Sequence, residues 1–193
     1  CERRPAFVYG ISTLGQEDIL YAREKGMKIK LVAQVVKLSD DLFTMFVMPE
    51  FVAPNRYIYA VDDEYNGVVI RGECYDRQFM FGKGAGGLPT ASSLLSDITA
   101  LRHDYRYEYK KTAFAPRPGY TTDIPLKIYA RFSKTNLLDG LPWLTVSEEY
   151  RSESFRYVVG EILLADLIKC RKLLEAEDVF LCNFPRFFTE RDD

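Results

Sequence analysis

The sequence predicts an α+β protein in two blocks. Residues 1–112 should form a mixed or antiparallel sheet with helices on one face, and residues 113–193 a smaller α+β unit. Three observations carry this. Residues 28–38 alternate, with Ile29, Leu31, Ala33 and Val35 on one face, the period of a half-buried strand. Residues 90–102 set Ala91, Leu94, Leu95, Ile98 and Leu101 on one side of a helix, an apolar stripe of period 3.6. Between the blocks, residues 113–125 hold Pro116, Pro118, Gly119 and Pro125, a composition that breaks regular structure and marks a linker.

The elements follow in order. Residues 7–11 read as a short strand. Glu17 and Asp18 open a helix, where the dipole favours acids, and Gly26 stops it. After the strand at 28–38, Asp40 and Asp41 turn the chain into a second strand at 42–48, ended by Pro49. Residues 56–61 hold a single turn of helix or a plain turn, and Asp62, Asp63 and Glu64 punctuate. Residues 67–74 and 78–81 form another strand pair. Six residues with four glycines, 82–87, then lead into the helix that Pro89 opens. Past the linker, strands at 126–132, 143–149 and 155–159 precede a helix at 161–174 and a last strand at 179–182. The second block therefore reads β-β-β-α-β, one helix short of β-α-β-β-α-β.

Composition excludes several functions. The 193 residues are 47% hydrophobic and 14% aromatic, enough for a real core. Twenty-six basic residues stand against 28 acidic ones, and no basic run appears, which argues against nucleic acid. No apolar stretch approaches the roughly 20 residues of a membrane helix. The four cysteines, Cys1, Cys74, Cys170 and Cys182, form no CxxC pair, and His103 is the single histidine. That pattern argues against a Cys/His metal site and fits a reducing, cytoplasmic setting, with Cys74 and Cys182 as small strand residues. His103 reads as a surface or helix-end residue, since no partner set for a base is visible. The chain opens on Cys1 and runs at once into apolar sequence, which reads as a start in mid-domain.

The glycine run is the chemical landmark. A strand end, glycines and a helix start put bare backbone N–H groups at a helix N-terminus, a place for an anion or a cofactor. The same glycines also suit a tight turn that only permits close packing. Chemistry alone leaves both readings open.

Resemblance adds a family. The stretch FGKGAGGLPTASSLLSDI (81–98) resembles the end of the homoserine dehydrogenase catalytic domain, where a GxGAGxxPTAxxxxxD run closes the substrate domain. YGISTLGQEDILYAREKGMKIKLVA (9–33) and MPEFVAPNRYIYAVDDEYNGVVI (48–70) are similar to upstream segments of that family, in the same order. The resemblance implies a substrate and dimerisation domain, and a reversible hydride transfer between NADP or NAD and the pair L-homoserine and L-aspartate 4-semialdehyde, in threonine, methionine and isoleucine biosynthesis. It implies cofactor contact at Gly84, Ala85 and Gly86. Lys83 reads as a loop lysine near a cofactor phosphate or in solvent. The family's nucleotide-binding fingerprint and its D-x-x-x-K segment have no counterpart here. No catalytic residue is therefore assigned, and the chain alone is expected to be inactive. A homodimer is expected, with residues 31–48 and 68–81 in or near its interface.

The second block resembles a degenerate ACT-like, ferredoxin-like domain. Residues 136–140 stand where its first helix and ligand loop belong. That likeness implies a threonine effector; the other reading of the block is a small α+β packing or dimerisation module with no ligand. For the chain as a whole, the alternative to the enzyme is a non-catalytic amino-acid-sensing or dimerisation module.

Overall fold

The computed structural model describes residues 6–72, 74–106, 118–133, 140–176 and 178–185. The chain forms two compact units, one of residues 1–52 with 117–193 and one of residues 53–116.

The larger unit is built on one eight-stranded mixed sheet. Its axis is a strand pair: β2 (Lys28–Lys37) runs antiparallel to β3 (Leu42–Val52), from Lys28 opposite Val52 to Lys37 opposite Phe43. The other edge of β3 is shared by three segments, all parallel to it. β6 (Gly119–Tyr120) pairs at Leu42 and Phe43, β1 (Phe7–Val8) at Phe46 and Val47, and β10 (Val179–Phe184) at Glu50. From β10 the sheet continues antiparallel through β7 (Pro125–Phe132), β9 (Arg156–Leu163) and β8 (Thr145–Arg151).

Pro49 does not end β3. The amides of Tyr9 and Thr121 donate to the carbonyls of Val47 and Phe43, at 2.8 and 2.9 Å, so odd residues of β3 turn their polar backbone away from β2. The missing N–H of Pro49 falls on that same edge, between the short β1 and the arrival of β10. The ladder to β2 loses nothing, and the strand runs on to Val52.

Both faces of the sheet are covered. On β7 the even residues Leu126, Ile128, Ala130 and Phe132 enter one core with Phe46, Met48 and Leu181. That core receives Leu164 and Leu167 of α3 (Leu164–Lys169) and Leu174 of α4 (Arg171–Ala176). The odd residue Tyr129 joins Phe51, Val159, Phe180 and Cys182 on the opposite face, under Tyr21 and Ala22 of α1 (Gln16–Glu24). The helices of this unit therefore lie on two faces, α1 of the first predicted block on one and α3 and α4 of the second on the other. β10 is buried on both sides, which explains its near-continuous apolar run, and β7 is buried on both sides from Ile128 to Phe132.

The boundary expected at residue 112 does not divide this unit. Strands from both predicted blocks meet on β3, so the sheet is continuous from β2 to β8. The helix expected at 161–174 is also different. β9 extends to Leu163 as the central partner of β7 and β8, and the remaining turn breaks into α3 and α4 around Cys170.

The smaller unit has a two-stranded sheet, β4 (Tyr65–Gly72) and β5 (Tyr75–Lys83), preceded by a 3-10 turn at Tyr57–Ala60 and followed by α2 (Gly87–Arg102). Tyr57 stacks on Phe79 and Tyr65 on Phe81, with centroids 5.4 and 4.7 Å apart. Cys74 lies exposed in the turn rather than in a strand, whereas Cys182 is buried in β10. Among the described residues no helix is long and apolar enough to cross a membrane.

Candidate functional site

The candidate cofactor residues Gly84, Ala85 and Gly86 sit together where β5 gives way to α2. The hairpin register brings Tyr65 opposite Lys83 and Asn66 opposite Gly82, which carries Glu64 alongside the glycines. The Glu64 carbonyl accepts from the amides of Gly84 and Ala85, at 3.2 and 3.3 Å. Its carboxylate accepts from Lys83 Nζ at 2.6 Å, and that hydrogen bond draws the Glu64 carboxyl below its ordinary range. Lys83 Nζ also stands 5.4 Å over the Tyr65 ring. Lys83 is thus held by its own hairpin in this structure.

Two of the three glycine-segment amides that the sequence offers to a ligand are therefore used internally. Donors remain one residue further on. Gly86 is the N-cap of α2, with φ of 106°, a backbone that disfavours any side chain. The first intrahelical bond runs from the Thr90 amide to the Gly86 carbonyl. Pro89 has no N–H, and the amides of Gly86, Gly87 and Leu88 have no hydrogen-bond partner among the described residues. They form the exposed positive end of a 16-residue helix, where a phosphate or carboxylate finds oriented donors. The helix closes its other polar groups on itself: Thr90 Oγ1 donates to the Gly86 carbonyl at 2.8 Å and Ser93 Oγ to that of Pro89 at 3.2 Å.

Sequence reasoning missed the residues that shape this turn. A Cβ on Gly84 would overlap Asn66 Nδ2 and stand 2.8 Å from its Cγ, so Gly84 is bare because Asn66 occupies that space. Gly82 has nothing within 4 Å of such a Cβ. Replacing Gly84 by alanine should therefore cost about 1 kcal/mol by overpacking, whereas Gly82→Ala should be close to neutral. Urea unfolding of the two variants checks this, and equal effects would remove the role given to Asn66. Only the hairpin register could have signalled Glu64 and Asn66, since they lie about twenty residues from the glycines.

The apolar stripe predicted on α2 is real but uncovered. Leu88, Leu94, Leu95, Ile98 and Leu101 are all exposed, Leu88 at 87%, and the helix buries no residue. An apolar face of this extent marks a contact surface.

A second polar centre lies in the larger unit. Asp18 is the acid predicted at the start of α1, and its Oδ2 does accept from the Gly15 amide at 2.8 Å. It also receives Arg131 Nε at 2.9 and 3.0 Å and the Tyr129 hydroxyl at 3.0 Å, fully buried. Burial pushes the Asp18 carboxyl up, and Gly15, Arg131 and Tyr129 pull against it. Arg131 Nη2 donates to the Thr13 carbonyl at 2.6 Å, and Nη1 lies 3.6 Å from Asp178. Asp18, Tyr129 and Arg131 are buried and paired, with Asp178 exposed at the rim, so this centre ties α1 and its entry loop to β7.

The sequence profile of the homoserine dehydrogenase family matches residues 3–99, half of the chain, and the match spans the glycine turn and most of α2. The chain belongs to the homoserine dehydrogenase family. A homoserine dehydrogenase of Bacillus subtilis is 30% identical over 126 residues, covering 64% of this chain and 29% of the relative. That of Neisseria gonorrhoeae is 35% identical over 57% of this chain and 26% of its own length. That of Corynebacterium glutamicum is 25% identical over 88% of this chain and 43% of the relative. In structure, the homoserine dehydrogenase of Thiobacillus denitrificans superposes with a TM-score of 0.63 at 20% identity, covering 93% of this chain and 48% of that one. The chain thus spans less than half the length of the homoserine dehydrogenases it matches. The fold likeness extends past residue 99 into the C-terminal strands, where the family profile stops.

Proposed function

We propose that this chain is the portion of a homoserine dehydrogenase that supplies its substrate-domain sheet and one wall of its cofactor site. The whole protein would transfer hydride reversibly between NADP or NAD and the pair L-homoserine and L-aspartate 4-semialdehyde. The family match that ends on the glycine turn and α2 carries this reading. The cofactor would supply the hydride chemistry. The residues here fit a contact role: Gly84, Ala85 and Gly86 offer no bulk, and the amides of Gly86, Gly87 and Leu88 suit one anionic group of a dinucleotide. The uncovered stripe of α2 supports a seat for a further part of the same protein, and exposed Leu31 and Val35 on β2 support a homodimer. The free thiols Cys74, Cys170 and Cys182 fit the cytoplasm.

Homoserine-dependent reduction of NADP and NAD by the full-length protein carrying this chain tests the proposal. Activity is expected, with KM for the cofactor raised by Gly86→Ala. A well-folded full-length protein that reduces neither cofactor would overturn it.

A sensing role has its own support in the strand order β10-β7-β9-β8, all antiparallel. That is the order in which a β-α-β-β-α-β, ACT-like unit arranges its sheet. Residues 136–139 of the expected ligand loop lie outside the described residues. A threonine effector should raise the thermal midpoint of the chain in a saturable way; no shift at saturating threonine would remove this reading.

A further inference from the structure

We propose that the turn end of the β8–β9 hairpin binds a dianionic oxyanion between Arg151 and Arg156. The register sets these two arginines directly opposite each other as the last pair of the ladder. Like charges in that relation repel and weaken a hairpin unless an anion lies between them. Among the described residues neither guanidinium has an ion pair or a hydrogen bond. By comparison, Arg131 holds Asp18 and Arg77 holds Asp76.

The surroundings form a receptacle. Arg151, Arg156, Ser133, Ser152, Glu153 and Phe155 line a concavity of about 510 Å³. Its floor is fixed by the turn. The Ser152 hydroxyl accepts from the Phe155 amide at 3.1 Å and donates to the Phe155 carbonyl at 2.9 Å, and the Phe155 ring packs 5.6 Å from that of Tyr150. Ser152 is therefore committed to the turn, which leaves the two guanidiniums and the Ser133 hydroxyl as donors. Glu153 is the acid of the lining, and it bonds neither arginine among the described residues. Two planar forks facing one space favour a ligand with two negative charges and several acceptor oxygens. Inorganic phosphate, a phosphomonoester and a small dicarboxylate share that chemistry. The inference does not rest on the dehydrogenase reading, since it concerns only the β8–β9 hairpin and Ser133 beside it.

Titrating sodium phosphate into the purified chain at constant ionic strength, while following the arginine Nε–H resonances by NMR, tests it. Saturable shifts of the Arg151 and Arg156 signals are expected, with a Kd on the order of 1 mM. Arg151→Gln and Arg156→Gln should each weaken binding about tenfold, a factor that one charge-assisted contact supplies. Glu153→Gln should tighten it. Arg156→Lys keeps the charge without the fork and should weaken binding several-fold, so a result is available even where a glutamine variant fails to fold. Succinate in place of phosphate separates the sources: a response to phosphate alone assigns a phosphoryl ligand, and a response to succinate a dicarboxylate. No saturable response to either anion overturns the proposal. So does a response that survives both glutamine substitutions.

Discussion

Replacing Arg131 by methionine is expected to destabilise the protein by about 3–5 kcal/mol, the range for removing one partner of a buried ion pair. The substitution leaves the Asp18 carboxylate, fully buried, without the guanidinium that meets both of its oxygens. Tyr129 and Gly15 still donate to it, but neither carries charge. The Thr13 carbonyl loses its donor too, so the loop before α1 loosens together with the helix. Denaturation by urea at neutral pH measures the loss. A loss under 1 kcal/mol would show that water or rearrangement replaces the arginine. The double variant Asp18→Leu with Arg131→Met should recover much of the deficit, because the cost lies in the orphaned charge rather than in the missing bond. If both single variants and the double are equally unstable, the pair acts through packing instead.

Gly160→Ala is the second large effect. Gly160 lies in the middle of β9, between Ile128 of β7 and Val146 of β8. A Cβ there would overlap the Thr145 carbonyl oxygen and stand 2.8 Å from Trp143 Cε3. The oxygen belongs to the backbone of a paired strand, which cannot step aside. The approach is close because the register slips at Ser147, the extra residue between Val146 and Glu148, and the bulge bends β8 toward its neighbour. A cost of roughly 3 kcal/mol is expected, the upper part of the overpacking range. The thermal midpoint should fall accordingly. A midpoint within a degree of the parent would mean that β8 is free to move off β9.

Much of this fold was legible. The alternation at 28–38 sets β2, although the face it marks is exposed at Leu31, Ala33 and Val35 while Gln34 and Val36 are the buried residues; the acidic start and Gly26 bound α1, because these signals are local. What failed was long-range. Pro49 looks like a strand end until the neighbouring edge is seen to be changing from β1 to β10. The proline-rich stretch at 113–125 looks like a domain boundary, yet the strands after it return to β3. Asp18 shows its capping role in three residues of sequence, while its partner Arg131 lies 113 residues away. At the site, the glycine run and the family it belongs to were plain. The bonds that occupy Gly84 and Ala85 were not, since they depend on the β4–β5 register.

The shared edge of β3 has a consequence for how the chain reaches this structure. β2 and β3 are joined by a four-residue connection, so their pairing closes a short loop and forms early. β6, β1 and β10 must each then find a place along one strand, from about 75, 40 and 130 residues away, a set of closures that raises contact order and slows folding. Residue Asn183, which reaches Glu50 from β10 at 3.3 Å, is placed only once the chain has been made as far as β10. Until β10 arrives, the flank of β3 at Pro49 and Phe51 lies on an open strand edge, the state from which partly made sheets pair with the wrong neighbour. Synthesis from N- to C-terminus thus leaves the central strand waiting for its final partner.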